Sequence, residues 1–344
     1  MPLKLSDKVR LMTSYVQRRT SQIPGPSSLF IETTSRCNLR CPMCPRTGSN
    51  APNVDMPDET LFTLLKDFAE MGGDHVYLYG LGEPLLDKRI FKIIRLCRRM
   101  DIGTVVSTNG TLLTARARKK LLASGCEHLI VGIDGIKAET YEYYREGGVF
   151  ADVVEKVRAF AEEKKALSSK MTLVVQLVRM GRNMDEISDF LKFWQKVPGV
   201  DLVRIKDEDI GLPDHAIYAQ DGFMRKNPCH MLWRGPMVIK YTGDVFPCYH
   251  MASHADPIGN LHQESLESIW NSERMQELRL IHAENRFKDS SSCAACPSPR
   301  PKLPFILGAL ALRGVTVRKL LPLAERMALT MPGIFRESRT PAEK

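Results

Sequence analysis

Between Ser28 and Lys206, six short runs rich in β-branched and aromatic residues alternate with segments of helical period. The runs are Leu29–Thr33, His75–Tyr79, Gly103–Thr108, His128–Ile133, Met171–Leu177 and Val200–Lys206, each of strand length. Between them apolar residues return every three or four positions. Leu61, Leu64, Leu65 and Phe68 mark one face of a helix that Pro57 can open and Gly72–Gly73 closes. Asn183 and Glu186 read as a capping-box-like start before Ile187, Phe190, Leu191 and Trp194. Six βα units in a row predict parallel strands joined by right-handed crossovers. Periodicity alone leaves two architectures open, a barrel and an open doubly wound sheet.

After Lys206 the alternation stops. A turn-rich stretch of about 90 residues holds Cys229, Cys248, Cys293 and Cys296, and its composition marks a second, smaller module. Beyond Pro301, Leu310, Val317, Leu320, Leu321 and Leu323 alternate with Arg313, Arg318, Lys319 and Arg326. The expected divisions are a basic amphipathic segment at 1–27, a first domain at 28–210, the Cys-rich module at 211–300 and a basic tail at 301–344.

At 344 residues, 43% apolar and 26% charged, the chain has a globular composition. Its longest mostly apolar run, Leu303–Leu312, contains Pro304 and Gly308 and falls short of the roughly 20 residues of a bilayer span. Lys4, Asp7, Lys8 and Arg10 interrupt any secretory h-region, so a cytoplasmic protein is expected. The net charge of +9 is uneven: residues 1–24 carry +4 and residues 300–344 carry +6, which leaves the 275 residues between them at −1. Cationic ends on a neutral body point to an anionic membrane surface, with no nucleic-acid partner expected. Residues 3–19 place Leu5, Val9, Met12 and Val16 at near-helical spacing beside Lys4, Lys8, Arg18 and Arg19, and residues 303–329 repeat that character. Helices packed on the body with their charges in water are the competing reading.

Nine cysteines in a chain expected to stay reduced point to metal or catalysis where they cluster. Cys97 and Cys126 sit in apolar, periodic contexts and read as packing residues. Cys37, Cys41 and Cys44 instead follow the first strand as CxxxCxxC. Three thiolates on one loop can hold three irons of a [4Fe–4S] cubane and leave the fourth without a protein ligand. A zinc knuckle borrowing a ligand such as His75 is the alternative.

This loop resembles the signature of the radical S-adenosylmethionine (SAM) superfamily, and three further matches follow in order. Tyr79-Gly-Leu-Gly-Glu-Pro84 resembles the GGEP motif, Ser107-Thr-Asn-Gly110 the ribose-side motif, and Val131-Gly-Ile-Asp-Gly135 the SxDG motif. In the last, Gly132 stands where Ser is often found, so a hydroxyl contact is missing or comes from elsewhere. The resemblance implies a partial (β/α)6 barrel in an α/β fold, followed by a small Cys-rich module. Gly80 and Gly82 free the backbone to approach a ligand, and Glu83 with nearby carbonyls can accept from an ammonium group, by resemblance that of SAM. Leu85 stands where a dinucleotide fingerprint needs glycine. Thr108 and Asn109 end a strand and can bond a ribose, and Arg145 can pair with the SAM carboxylate.

Cys229, Gly243, Cys248 and the Cys293-Ala-Ala-Cys296 pair resemble the twitch form of the SPASM domain. The resemblance implies one auxiliary [4Fe–4S] cluster, a structural zinc being the alternative. His230, His250 and His254 lie near these thiols and read as solvated or substrate-facing.

By resemblance, an external donor such as a flavodoxin or ferredoxin reduces the first cluster, and SAM is cleaved to methionine and a 5′-deoxyadenosyl radical that abstracts hydrogen from a substrate. The second cluster then suits an electron acceptor in a dehydrogenation or cross-link. Epimerisation, which needs a hydrogen-atom donor, is a rival outcome. Gln176, Lys206 and Glu208, at the ends of the fifth and sixth strands, are candidate substrate contacts. Three substrate classes compete: a lipid or lipid-linked sugar, favoured by the cationic ends; a peptide, for which the roughly 28 residues before the first strand are too few to make a recognition domain; and a soluble sugar or aminocyclitol. A non-catalytic Fe–S or zinc scaffold at a membrane is the alternative from another class.

Overall fold

The computed structural model of the chain describes residues 5–207, 228–294 and 296. Six parallel strands appear as the sequence predicts: β1 (Ser28–Ile31), β2 (His75–Leu78), β3 (Gly103–Thr108), β4 (His128–Gly132), β5 (Thr172–Arg179) and β6 (Leu202–Asp207). Three short strands follow, β7 (Met237–Ile239), β8 (Asp244–Phe246) and β9 (Gly259–Asn260). All nine join in one sheet of order β6-β5-β4-β3-β2-β1-β7-β8-β9.

That order decides between the two architectures. Each of β1 to β6 lies beside its neighbours in sequence, so every right-handed crossover moves the same way and every helix falls on one face. A doubly wound sheet would reverse direction at a switch point. The helices are α2 (Asp58–Glu70), α3 (Ile90–Arg99), α4 (Ala115–Ser124), α5 (Ala138–Tyr144), α6 (Phe150–Ala166) and α7 (Ile187–Trp194). Leu29, Ile31, Val76, Leu78, Val106, Leu129, Val131, Leu173, Val175 and Val203 form one core with Leu61, Leu64, Phe68, Ile93 and Ile94 of the helices. Phe30, Val105, Ile130, Val174 and Leu202, the alternate positions, stand outside that cluster and belong to the other face. Helices on one side and a separate inner face on the other make a partial (β/α)6 barrel with a lumen. Cys97 and Cys126 are buried in the helix-side core, and burial pushes both thiols up to about 12.

The Cys-rich stretch continues the sheet: β7 pairs parallel to β1, with Leu29 opposite Met237 and Ile31 opposite Ile239. Two antiparallel pairings then add β8 and β9. Its helices are α8 (Met231–Arg234), α9 (Met251–His254), α10 (Leu266–Trp270), α11 (Glu273–Ala283) and α12 (Ser291–Ala294). Arg279 of α11 is fully buried with no carboxylate partner among the described residues. Its guanidinium donates to the carbonyls of Leu232 at 2.8 Å, Trp270 at 3.0 Å and Thr20 at 3.5 Å, and lies over the Trp270 ring. Burial lowers its pKa to about 10.

Glu186 corrects the capping expectation. Its side chain makes no cap bond to α7; its Oε2 accepts from Ile136 N–H at 2.7 Å and Lys137 N–H at 3.3 Å and its Oε1 from the Thr140 hydroxyl, so it holds the segment that leads into α5. The buried carboxylate bonds the donors nearest in space rather than those nearest in sequence. The helix α1 (Leu5–Val16) packs on the module, with Leu11 and Ser14 buried and Tyr15 edge-on to Trp233. Val16 of the predicted stripe is instead 62% exposed. The basic stretch 303–329 and Glu208 lie outside the described residues. No described helix is long and apolar enough to cross a membrane.

Candidate functional site

The loop leaving β1 carries Cys37, Cys41 and Cys44, and its shape is fixed by cations from within it. Arg36 donates to both Asp55 carboxylate oxygens at 2.7 Å and to Leu86 O at 2.9 Å, while Arg46 Nε donates to Ser35 O at 2.6 Å. Thr47 and the Cys44 N–H both donate to Cys41 O, closing the last turn of the loop. Burial pushes the Cys37 and Cys41 thiols up. Cys44 pushes both the same way, as Cys37 does at Cys41, while Arg145 opposes the rise at Cys41.

The Gly80–Pro84 turn lies directly on this loop. A Cβ at Gly82 would fall 2.0 Å from Thr34 O, so only glycine allows the approach. Glu83 N–H donates to Arg36 O at 2.7 Å. The Glu83 carboxylate is buried and accepts from Leu85 N–H at 3.0 Å, Thr108 Oγ1 at 2.7 Å and Asn109 N–H at 2.8 Å. Burial raises its pKa. The Asn109 amide donates to Asn38 Oδ1 at 3.1 Å, and Asn38 donates to Thr111 Oγ1 at 2.8 Å. Thus Glu83, Thr108 and Asn109 tie three loops together at the strand ends. Gly80 abuts Glu32, whose Oε1 accepts from Leu81 N–H at 2.6 Å.

Arg145 brings a cation to Cys41 and Glu83. Its Nη2 pairs with the buried Asp134 Oδ2 at 2.6 Å, and Asp134 Oδ1 accepts from Val178 N–H. Its Nε is buried and lacks a hydrogen-bond partner among the described residues. The missing Ser of the SxDG motif has a physical reason, because a Cβ at Gly132 would come 2.5 Å from Arg145 Nη2.

In the module, burial pushes the Cys248 thiol strongly up, and the proximity of Cys229, Cys293 and Cys296 adds to the rise. The four thiols the sequence singled out therefore share one neighbourhood. Cys229 N–H donates to Nδ1 of the buried His282 at 3.0 Å. Among the described residues no three His, Cys, Asp or Glu side chains are gathered tightly enough to hold one metal ion.

Residues 31–193 match the profile of the radical SAM superfamily, and residues 229–297 match the SPASM iron-sulfur cluster-binding domain. This chain belongs to the radical SAM superfamily. Its relatives include the tungsten-containing aldehyde ferredoxin oxidoreductase cofactor-modifying protein of Pyrococcus furiosus, 25% identical over 77% of this chain and 86% of that protein. The GTP 3′,8-cyclase of Lactiplantibacillus plantarum is 33% identical, over 46% of this chain and 48% of that protein. Among solved structures, BtrN in complex with AdoMet and 2-DOIA shares the fold at a TM-score of 0.52 and 19% identity, over 79% of this chain and 93% of BtrN. Streptococcus suis SuiB bound to its precursor peptide does so at 0.60 and 15%, over 79% and 70%.

The radical SAM domain binds a [4Fe–4S] cluster with SAM, and the SPASM domain an auxiliary iron-sulfur cluster. The donor sets fit: three thiols on one loop would hold three irons and leave the fourth open, and four thiols in the module would make a complete cysteine set.

The lumen of this radical SAM barrel has two unlike walls. Phe30, Tyr77 and Tyr79 of β1 and β2, with Tyr249 from the module, form an aromatic cluster with ring centroids 4.7–6.2 Å apart. Gln176 of β5 lies opposite Arg204 of β6 and accepts from its Nε at 2.8 Å. Lys206, two residues on, places its Nζ 5.7 Å from the Tyr249 ring. The motifs along the chain give no role to Glu32, Asp134, Arg204, Tyr249 and His282. Asp134 stood in plain view inside the SxDG match, but only folding shows it holding Arg145.

Proposed function

We propose that this radical SAM enzyme abstracts hydrogen from a C–H bond of a substrate held in the barrel lumen and oxidises it, by dehydrogenation or cross-linking. The gathering of Cys229, Cys248, Cys293 and Cys296 in a module whose β7 extends β1 carries the reading, because β1 also leads into the first cysteine loop. When bound, the two clusters supply the electron that splits SAM into methionine and a 5′-deoxyadenosyl radical and an acceptor for the electron that the substrate loses.

This chain's own side chains do the rest. Arg145, held by Asp134, offers its free edge to the SAM carboxylate. Carbonyls of the Gly80–Gly82 turn accept from the amino group. Glu83 positions Thr108 and Asn109 for the ribose. The aromatic wall keeps water from the radical, and Gln176, Arg204 and Lys206 bind a polar group of the substrate. Such a wall suits a sugar, and the cationic stretch 303–329 favours its lipid-linked form, with the enzyme peripheral at an anionic membrane.

Reduced, reconstituted protein is expected to hold about eight irons and to form 5′-deoxyadenosine from SAM. Cys41→Ala abolishes that cleavage, while Cys293→Ala retains it at about half the iron content. A wild-type protein with full iron and no 5′-deoxyadenosine overturns the assignment. Stoichiometric zinc in place of the second cluster overturns the acceptor role.

A further inference from the structure

The near-neutral sum of the chain's body conceals a segregation of charge. Helices α3 and α4 have ten residues each; four in each are Lys or Arg, and neither has an Asp or Glu. The two helices pack side by side. Lys92, Arg95, Arg98 and Arg99 of α3 and Arg116, Lys119 and Lys120 of α4 are exposed. Arg118 is committed to Glu163, whereas none of those seven joins an ion pair among the described residues. Seven unneutralised cations on two adjacent helices make a field of one sign that repels itself, and a structure keeps such a field for a partner of opposite sign.

Two features say which partner. First, neither helix exposes a large apolar side chain, so the face lacks the wedge with which an amphipathic helix enters a lipid interface. An ionic face instead suits electrostatic steering of an acidic protein. Second, the face starts at the cluster. α3 follows Leu86, which lies just beyond the Gly80–Pro84 turn and whose carbonyl accepts from Arg36 of the cysteine loop; α4 follows Asn109, whose side chain bonds Asn38 of the same loop. A protein seated over the N-terminal ends of α3 and α4 therefore lies beside the loops that pack on the cysteine loop.

We infer that the α3–α4 face is the docking surface for an acidic one-electron donor protein that reduces the primary cluster. The inference rests on the radical SAM reading proposed above. One electron passes from the reduced partner to the cluster, which leaves the partner one electron more oxidised; no bond forms or breaks.

The test uses a reduced flavodoxin as an acidic probe and follows bleaching of the cluster absorbance in the full-length, reconstituted protein, a readout independent of SAM cleavage. Arg95→Glu, Arg99→Glu, Arg116→Glu and Lys119→Glu together should slow reduction by flavodoxin at least about tenfold at low salt and abolish its salt dependence. Reduction by dithionite, which needs no docking surface, should be unchanged. The four Gln substitutions, milder for folding, should give an intermediate loss, and added salt should slow the wild type. Equal rates with flavodoxin in wild type and variants overturn the inference, as does an equal loss with both reductants. Loss of binding to phosphatidylglycerol vesicles or duplex DNA, with flavodoxin reduction intact, also overturns it and reassigns the face. A wild type that dithionite reduces but that never cleaves SAM defeats the proposed function alone.

Discussion

Arg145 fills the space that a side chain at Gly132 would need, since a Cβ there falls 2.5 Å from its Nη2. The end of an arginine is ordinarily free to swing aside, but this one is held 2.6 Å from the buried Asp134 carboxylate. Restoring the family's serine should therefore damage the site. Gly132→Ser displaces the guanidinium and should weaken SAM binding about tenfold, or about 1.4 kcal/mol, with iron content unchanged. Equilibrium binding of SAM to the reconstituted variant measures this. An unaltered affinity would show that Arg145 does not hold the carboxylate.

Glu83 accepts from backbone N–H groups on both carboxylate oxygens, from Leu85 on Oε1 and Asn109 on Oε2. Glu83→Gln must set its NH2 against one of those donors whichever way the amide turns. The expected cost is about 1–3 kcal/mol, seen as a lower melting temperature together with weaker SAM binding. Thr108→Val keeps the shape but removes both a donor to Glu83 and the acceptor of the Gly110 N–H, so a cost of about 1–3 kcal/mol is expected there too.

Much of this was legible beforehand because the pattern was local. Strand runs, helix faces and cysteine spacings are read along the chain, and β1 to β6 formed within two residues or so of their predicted ends. Contacts between distant segments were not legible. Nothing in the spacing of Gly132 and Arg145 announces that they compete for one volume. Nor does a near-zero sum of charge reveal that α3 and α4 place all their cations together. The capping expectation for Glu186 failed in the same way: its partners, Ile136 and Thr140, lie about 50 residues upstream.

His75 begins β2 with a carboxylate at each ring nitrogen, Asp74 at 3.2 Å and Glu127 at 3.5 Å. Burial alone would lower the imidazole pKa, but the hydrogen bonds and charges of the two carboxylates outweigh it, so it is raised above 6.5. A histidine raised on folding adds stability that is fully present below its unfolded pKa of about 6.5. That stability is lost as pH rises through the folded pKa. Denaturant unfolding should therefore show a decline in stability above about pH 6.5 that His75→Gln reduces. An identical pH dependence in the variant would remove His75 as the cause.

The N-terminal segment yields the sharpest contrast between packing and membrane roles. Trp233 Nε1 donates to Arg19 O at 2.7 Å, Trp270 Nε1 to Pro24 O at 3.0 Å, and Tyr15 OH to Pro228 O at 3.0 Å. Both tryptophans are fully buried, so deleting residues 1–24 strands their N–H groups and uncovers part of the module that holds the second set of cysteines. Each stranded donor costs about 1–3 kcal/mol, and the loss of Leu11 adds to it. The truncated chain should melt well below the full chain in the absence of any lipid, and should lose iron from the module before the barrel. A truncation at residue 300 that leaves residues 1–24 in place should instead keep its stability and lose whatever affinity for anionic vesicles the tail confers. If deleting residues 1–24 changes vesicle binding and leaves the melting temperature untouched, the packing role of α1 is wrong, and the segment serves the membrane.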